Sequence, residues 1–207
     1  MKIKIFILII LYYISLVNIC YSSEIDVFNY PVSKVNISQL ESVQKELSQS
    51  STIKGEFVQT RYIKILSSPV VSKGNFILSK REGLTWKQTT PFVSSLIVTN
   101  NKLIQKMGES DPVIITKEQE PIVFSFTKIF LSIFQGETDK VKEYFYIYFK
   151  GNKSSWEIAL RPRTSPLNKA IMSINVLGAR FVKKVIITEV KGTKMVIKFS
   201  NVHNIEK

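Results

Sequence analysis

A mainly β fold, an antiparallel sheet or barrel with few helices, is what this 207-residue sequence predicts, and three observations predict it. Strand-length segments follow one another from residue 54 to residue 107 and again from 144 to 202, most of them with a period of two, with Pro, Gly, Asn and Ser breaks between them. No helical pattern interleaves with those segments, so a parallel βαβ arrangement is excluded. Hydrophobic residues make up 44% of the chain against 22% charged, which suits one ordered domain and is too apolar for a disordered basic tail.

The elements follow in order. Met1 to Lys4 is a basic head, Ile5 to Val17 an uncharged apolar run, and Cys20-Tyr21-Ser22-Ser23 a small and polar flank. That order predicts a signal peptide over residues 1–22, which exports the remainder, 23–207, as one domain to the periplasm. The alternative is a retained N-terminal anchor, although the run is short for a membrane span. Cleavage after Ser22 removes Lys2, Lys4 and Cys20 and leaves 27 basic against 16 acidic residues, a formal +11. Lipidation at Cys20 is a further alternative, against which stands bulky Ile19 at the position where a lipoprotein peptidase prefers a small residue.

Ser38-Gln39-Leu40-Glu41 has the form of a capping box, and Leu40, Val43 and Leu47 continue it at helical spacing, so a helix is expected from Ser38 to about Gln49. Strands are expected over 54–66, 71–80, 84–88, 94–99 and 102–107, the last two joined at Asn100-Asn101, a pair that tolerates a tight hairpin. A second series runs over 144–149, 156–161, 170–177, 181–190 and 194–202, which makes about ten strands. Between the series, Pro121 to Phe134 holds nine apolar residues in fourteen. Read as a helix, it leaves only a narrow polar stripe of Ser125, Lys128 and Ser132, so it must be covered on several sides or face an apolar cavity. Two arrangements satisfy this pattern: a tightly filled sandwich, or a curved sheet with an apolar hollow and this segment across its mouth.

Charge and rare residues exclude chemistry more than they indicate it. One cysteine and one histidine, His203, rule out a Cys/His zinc site or a disulfide framework within the chain. There is no Gly-rich phosphate loop and no G-x-S-x-G, so no catalytic residue, metal or cofactor is expected. Lys and Arg number 29 against 16 Asp and Glu, a formal +13, and ten of the basic residues lie between Arg161 and Lys207. They form either solvated strand faces or a surface attracted to anionic headgroups or an acidic partner. Nucleic acid is not expected, because export and the lack of a base-stacking motif both argue against it.

Gly55-Glu56-Phe57-Val58-Gln59, the run Gly74 to Trp86 with its closing Leu-x-Trp, Pro91 and Leu96 to Asn101 resemble the LolA family of periplasmic lipoprotein carriers. So do Trp156 to Pro162, Ile171 to Gly178, Val185 to Gly192 and Ile197 to Val202. The resemblance implies an unclosed antiparallel β-barrel of about ten strands with a helical lid, LolA/LolB-like, that holds acyl chains and performs no covalent chemistry. It implies a lipid-binding cavity lined by Phe57, Phe76, Leu78, Leu84, Trp86 and Ile97, and a lid carrying Phe126, Ile129, Phe130, Ile133 and Phe134. Lys80 stands at the family's rim latch, with Arg81 beside it where the family often has Pro. The implied partners are an acylated lipoprotein or other lipid cargo, an inner-membrane ABC transporter as donor and an outer-membrane acceptor, the carrier acting as a monomer. A chain lipidated at Cys20 would instead be such an acceptor.

Overall fold

The computed structural model describes residues 26–99, 102–116, 118–119, 124, 131–132 and 141–205. The expected leader over 1–22 with Cys20, the Asn100-Asn101 hairpin pair and the lid residues Phe126, Ile129, Phe130, Ile133 and Phe134 lie outside the described residues.

The period-two alternation builds one antiparallel sheet of eleven strands. The first six are β1 (Thr52–Tyr62), β2 (Val70–Ser79), β3 (Gly83–Thr90), β4 (Ser94–Val98), β5 (Lys102–Met107) and β6 (Val113–Thr116). The other five are β7 (Phe145–Asn152), β8 (Ser155–Pro162), β9 (Ile171–Gly178), β10 (Val182–Glu189) and β11 (Lys194–Asn204). Their spatial order is β6-β5-β4-β3-β2-β1-β11-β10-β9-β8-β7, so the two sequence-local meanders are stitched together by the β1–β11 pair. β6 and β7 end the order without pairing to each other, so the sheet is not closed into a barrel. β6 is the one strand the sequence pattern did not yield, since Val113-Ile114-Ile115-Thr116 is four residues of continuous β-branched character without alternation.

One face of the sheet carries the core. Phe57, Phe76, Leu78, Leu84, Val98 and Leu103 from the first meander meet Phe149, Ile158, Val176, Val185, Ile197 and Phe199 from the second in one buried cluster. Helix α1 (Ile37–Leu47) adds Leu40, Val43 and Leu47 to that cluster, so it covers this inner face. The helix starts earlier than the capping-box pattern implies. Asn36 is its N-cap, and the Ser38 hydroxyl donates to Gln39 rather than capping a helical N–H. Asn36 is held from elsewhere: its side chain accepts from the Ser33 N–H and donates to the carbonyls of Pro31 and Phe149. A short helix α2 (Leu167–Ala170) leads into β9.

The N-terminal strand-edge segment has its own role. Val32 N–H donates to Ile147 O and Phe149 N–H donates to Tyr30 O, so Tyr30–Val32 pairs with β7 and covers an otherwise free edge. Just before it, a 3₁₀ turn (Val27–Asn29), capped by Asp26, sets Phe28 edge-on against Tyr148, with the Arg161 guanidinium 4.0 Å from the Phe28 ring centre. Tyr148 and Arg161 alternate with the core residues of β7 and β8, so this cluster lies on the outer face.

Candidate functional site

Three cross-strand rows define the inner face of the first meander. Ile53, Leu78, Leu84, Val98, Leu103 and Ile115 form the first, and Gly55, Phe76, Trp86, Leu96, Gln105 and Val113 the second. Phe199, Phe57, Gly74, Gln88, Ser94 and Met107 form the third. Burial falls along these rows toward β6. Phe57, Phe76, Leu78 and Leu84 are buried, Trp86, Leu96 and Ile115 are half-buried against the core, and Val113 and Met107 are 59% and 48% exposed. The apolar floor thus meets solvent on the β6 side.

The centre of this floor is aromatic, and a glycine creates it. Phe57 on β1 and Trp86 on β3 are two strands apart, yet their rings stack with centres 3.7 Å apart and planes 22° from parallel. Between them on β2 stands Gly74, which has no side chain, so the indole lies across the strand to reach Phe57. Gly74 is also where β3 comes closest: a Cβ there would sit 1.9 Å from the Lys87 carbonyl oxygen. Phe199 meets Phe76 and Trp86 edge-on at 5.3 and 6.2 Å, completing a four-ring cluster. The second tryptophan, Trp156, is buried in the other meander and donates its indole N–H to Ala179 O at 2.6 Å.

Five of the six residues expected on the cavity side, Phe57, Phe76, Leu78, Leu84 and Trp86, share this face. Ile97 does not, which corrects the expectation. It pairs with Thr85 and Ile104 and faces outward, and Leu96 and Val98 are the β4 residues that stand beside Trp86 and Leu84. The run Leu96-Ile97-Val98 is apolar at every position, so sequence alone gives no parity. The hairpin register with β3 supplies it. Leu103, Ile115 and Phe199 were likewise absent from the expected lining, and the only signal for them is their registration with Val98, Leu103 and Phe57.

At the β2–β3 turn the Ser79 hydroxyl accepts the N–H groups of Arg81 and Glu82, and Gly83 takes the positive φ that closes the hairpin. Lys80 is thereby aimed at helix α1. Its N–H donates to Ser51 O and its ammonium donates to Ser48 O, the carbonyl of the C-cap residue, where the helix dipole favours a cation. Lys80 thus ties a helix to the rim of the sheet, and the helix it holds is α1. Arg81 is exposed on the same turn. The small pocket beside it, between Leu47, Ile53, Leu78 and Phe181, encloses about 10 Å³, room for about one water and far too little for an acyl chain. Of the expected lid, the described Phe124, Leu131 and Ser132 are helical and buried, and Phe124 and Leu131 join the core cluster.

Among the described residues no group of three His, Cys, Asp or Glu could hold a metal ion, and no helix is long and apolar enough to cross a membrane. What the described residues of the inner face offer is apolar surface and aromatic rings.

Comparison with known proteins gives one family. The family model described as outer membrane lipoprotein carrier protein LolA matches residues 48–207. No curated protein matches the chain. Among solved structures, a LolA superfamily protein from Nitrosomonas europaea is similar at a TM-score of 0.46 and 8% identity, over 83% of this chain and 94% of that one. The lipoprotein LppX of Mycobacterium tuberculosis gives 0.46 and 7%, over 85% and 99%. A putative outer membrane lipoprotein-sorting protein domain from Vibrio parahaemolyticus gives 0.43 and 8%, over 83% and 95%.

Proposed function

This chain belongs to the family of the outer membrane lipoprotein carrier protein LolA, and we propose that it is an extracytoplasmic carrier that shields the acyl chains of a lipoprotein, or of a related lipid, on the inner face of its sheet. The observation that carries this reading is the four-ring cluster of Phe57, Phe76, Trp86 and Phe199, continuous with half-buried Leu96 and Ile115 toward β6. Water would otherwise have to solvate each chain at about 0.8 kcal/mol per methylene, and an apolar floor offsets that cost without any bond being made or broken. The cycle takes cargo from an inner-membrane ABC transporter and releases it to an outer-membrane acceptor. The segment 121–134, with Phe126, Ile129, Phe130, Ile133 and Phe134, covers the bound chains, and a signal peptide over residues 1–22 delivers the protein to the periplasm.

The test is native mass spectrometry of the protein purified from the envelope after its own processing, mixed with a synthetic triacylated lipopeptide or with a diacyl phospholipid. A saturable one-to-one complex with the lipopeptide is expected, on a chain beginning at Ser23. Absence of a complex with either probe would overturn the carrier reading, and an acylated Cys20 at the mature N-terminus would identify an anchored acceptor instead.

A further inference from the structure

The outer face of the sheet is not an ordinary solvated face. Three registered rows cross it. Lys184, Lys198, Val58 and Lys73 form the first, and Glu56, Asn75, Lys87, Ser95 and Lys106 the second. Lys54, Ile77, Thr85, Ile97, Ile104 and Ile114 form the third. Six lysines thus stand on adjoining strands against a single carboxylate, Glu56, which is held by the Asn201 side chain at 3.0 Å. Lys184 and Lys198 are directly opposite each other, a pairing of like charges that costs folding stability. Beside the lysines runs the isoleucine row, with Ile77 41% and Ile114 54% exposed. The like-charge pair opposes folding, and Ile77 and Ile114 keep much of their apolar surface in water even though the row pairs across its strands.

We propose that this outer face, spanning β10, β11 and β1–β6, docks on an anionic lipid bilayer, with its lysines on headgroup phosphates and its isoleucine row at the headgroup boundary. Charge complementarity is the first argument. The face is basic, the chain carries a formal +13, and near-surface lysines each strengthen binding to an anionic leaflet about fivefold. The isoleucine row is the second argument, because a polyanion in water would solvate lysines equally well but has no apolar layer to receive Ile77 and Ile114. The three rows present no aromatic ring on which a nucleic acid base would stack. The surface is separate from the inner face, so its function does not depend on what that face binds.

Vesicle co-sedimentation tests it, with the envelope-purified protein, phosphatidylcholine vesicles containing about one third phosphatidylglycerol, and pure phosphatidylcholine vesicles. Strong binding to the anionic vesicles, weak binding to the neutral ones and loss in high salt are expected. Lys87→Glu combined with Lys198→Glu should lower the anionic partition coefficient at least tenfold with the melting temperature kept or raised. Lys45→Glu combined with Lys169→Glu, an equal change of net charge on α1 and α2, should lower it less than threefold. Equal binding to both vesicle types, no binding to the anionic ones, or an equal loss in the two charge variants would overturn the proposal.

Discussion

Single residues set both faces of this sheet. On the inner face Trp86 is placed by an absence, since only the bare Cα of Gly74 lets the indole cross β2 and stack on Phe57. On the outer face the Lys184–Lys198 pair works against folding, so Lys198→Thr should raise stability by about 0.2–1 kcal/mol, read as a higher urea midpoint at unchanged slope. An unchanged midpoint would mean the two ammonium groups splay apart without cost, and a fall that the Lys198 side chain stabilises the sheet. Lys80 shows how a residue's place is legible while its partner is not. The turn chemistry of Ser79 to Gly83 could be read from the letters, but the carbonyl its ammonium meets belongs to Ser48, a helix end that only the folded chain brings near.

At the scale of elements, the hairpins carry the organisation, and the β2–β3 hairpin is the tightest constraint on the site. A methyl group at position 74 would fall 1.9 Å from the Lys87 carbonyl, so Gly74→Ala should cost about 3 kcal/mol by chemical denaturation and should loosen the Trp86 stack at the same time. A variant as stable as the parent would show that β3 can shift away at little cost. Ten of the eleven strands were visible in the sequence because alternation and Pro, Gly or Asn breaks mark them. β6 was not visible, being short and apolar on both sides, and the sidedness of β4 was not, because Leu96-Ile97-Val98 is uniform. The start of α1 was misplaced by a capping-box pattern that lost to Asn36, whose bonds reach Phe149 more than a hundred residues away. The edge pairing of Tyr30–Val32 with β7 left no periodic signal at all.

For the whole molecule, the open sheet separates two surfaces of different chemistry. The inner face gathers the core and grades from buried Leu84 and Phe76 to half-buried Trp86, Leu96 and Ile115, while the outer face carries lysines and isoleucines in register. The first supports a proposal about hydrocarbon cargo, and the second one about a lipid surface. Both are consistent with a LolA family member, and each can fail alone. The claim that acyl chains lie on the inner face is tested most directly by fluorescence quenching. Trp156→Phe leaves Trp86 as the one tryptophan of the chain, and a lipopeptide with brominated acyl chains would then be titrated in. Saturable quenching of Trp86 that follows complex formation is predicted, whereas complex formation with Trp86 emission unchanged would place the chains elsewhere and contradict the account.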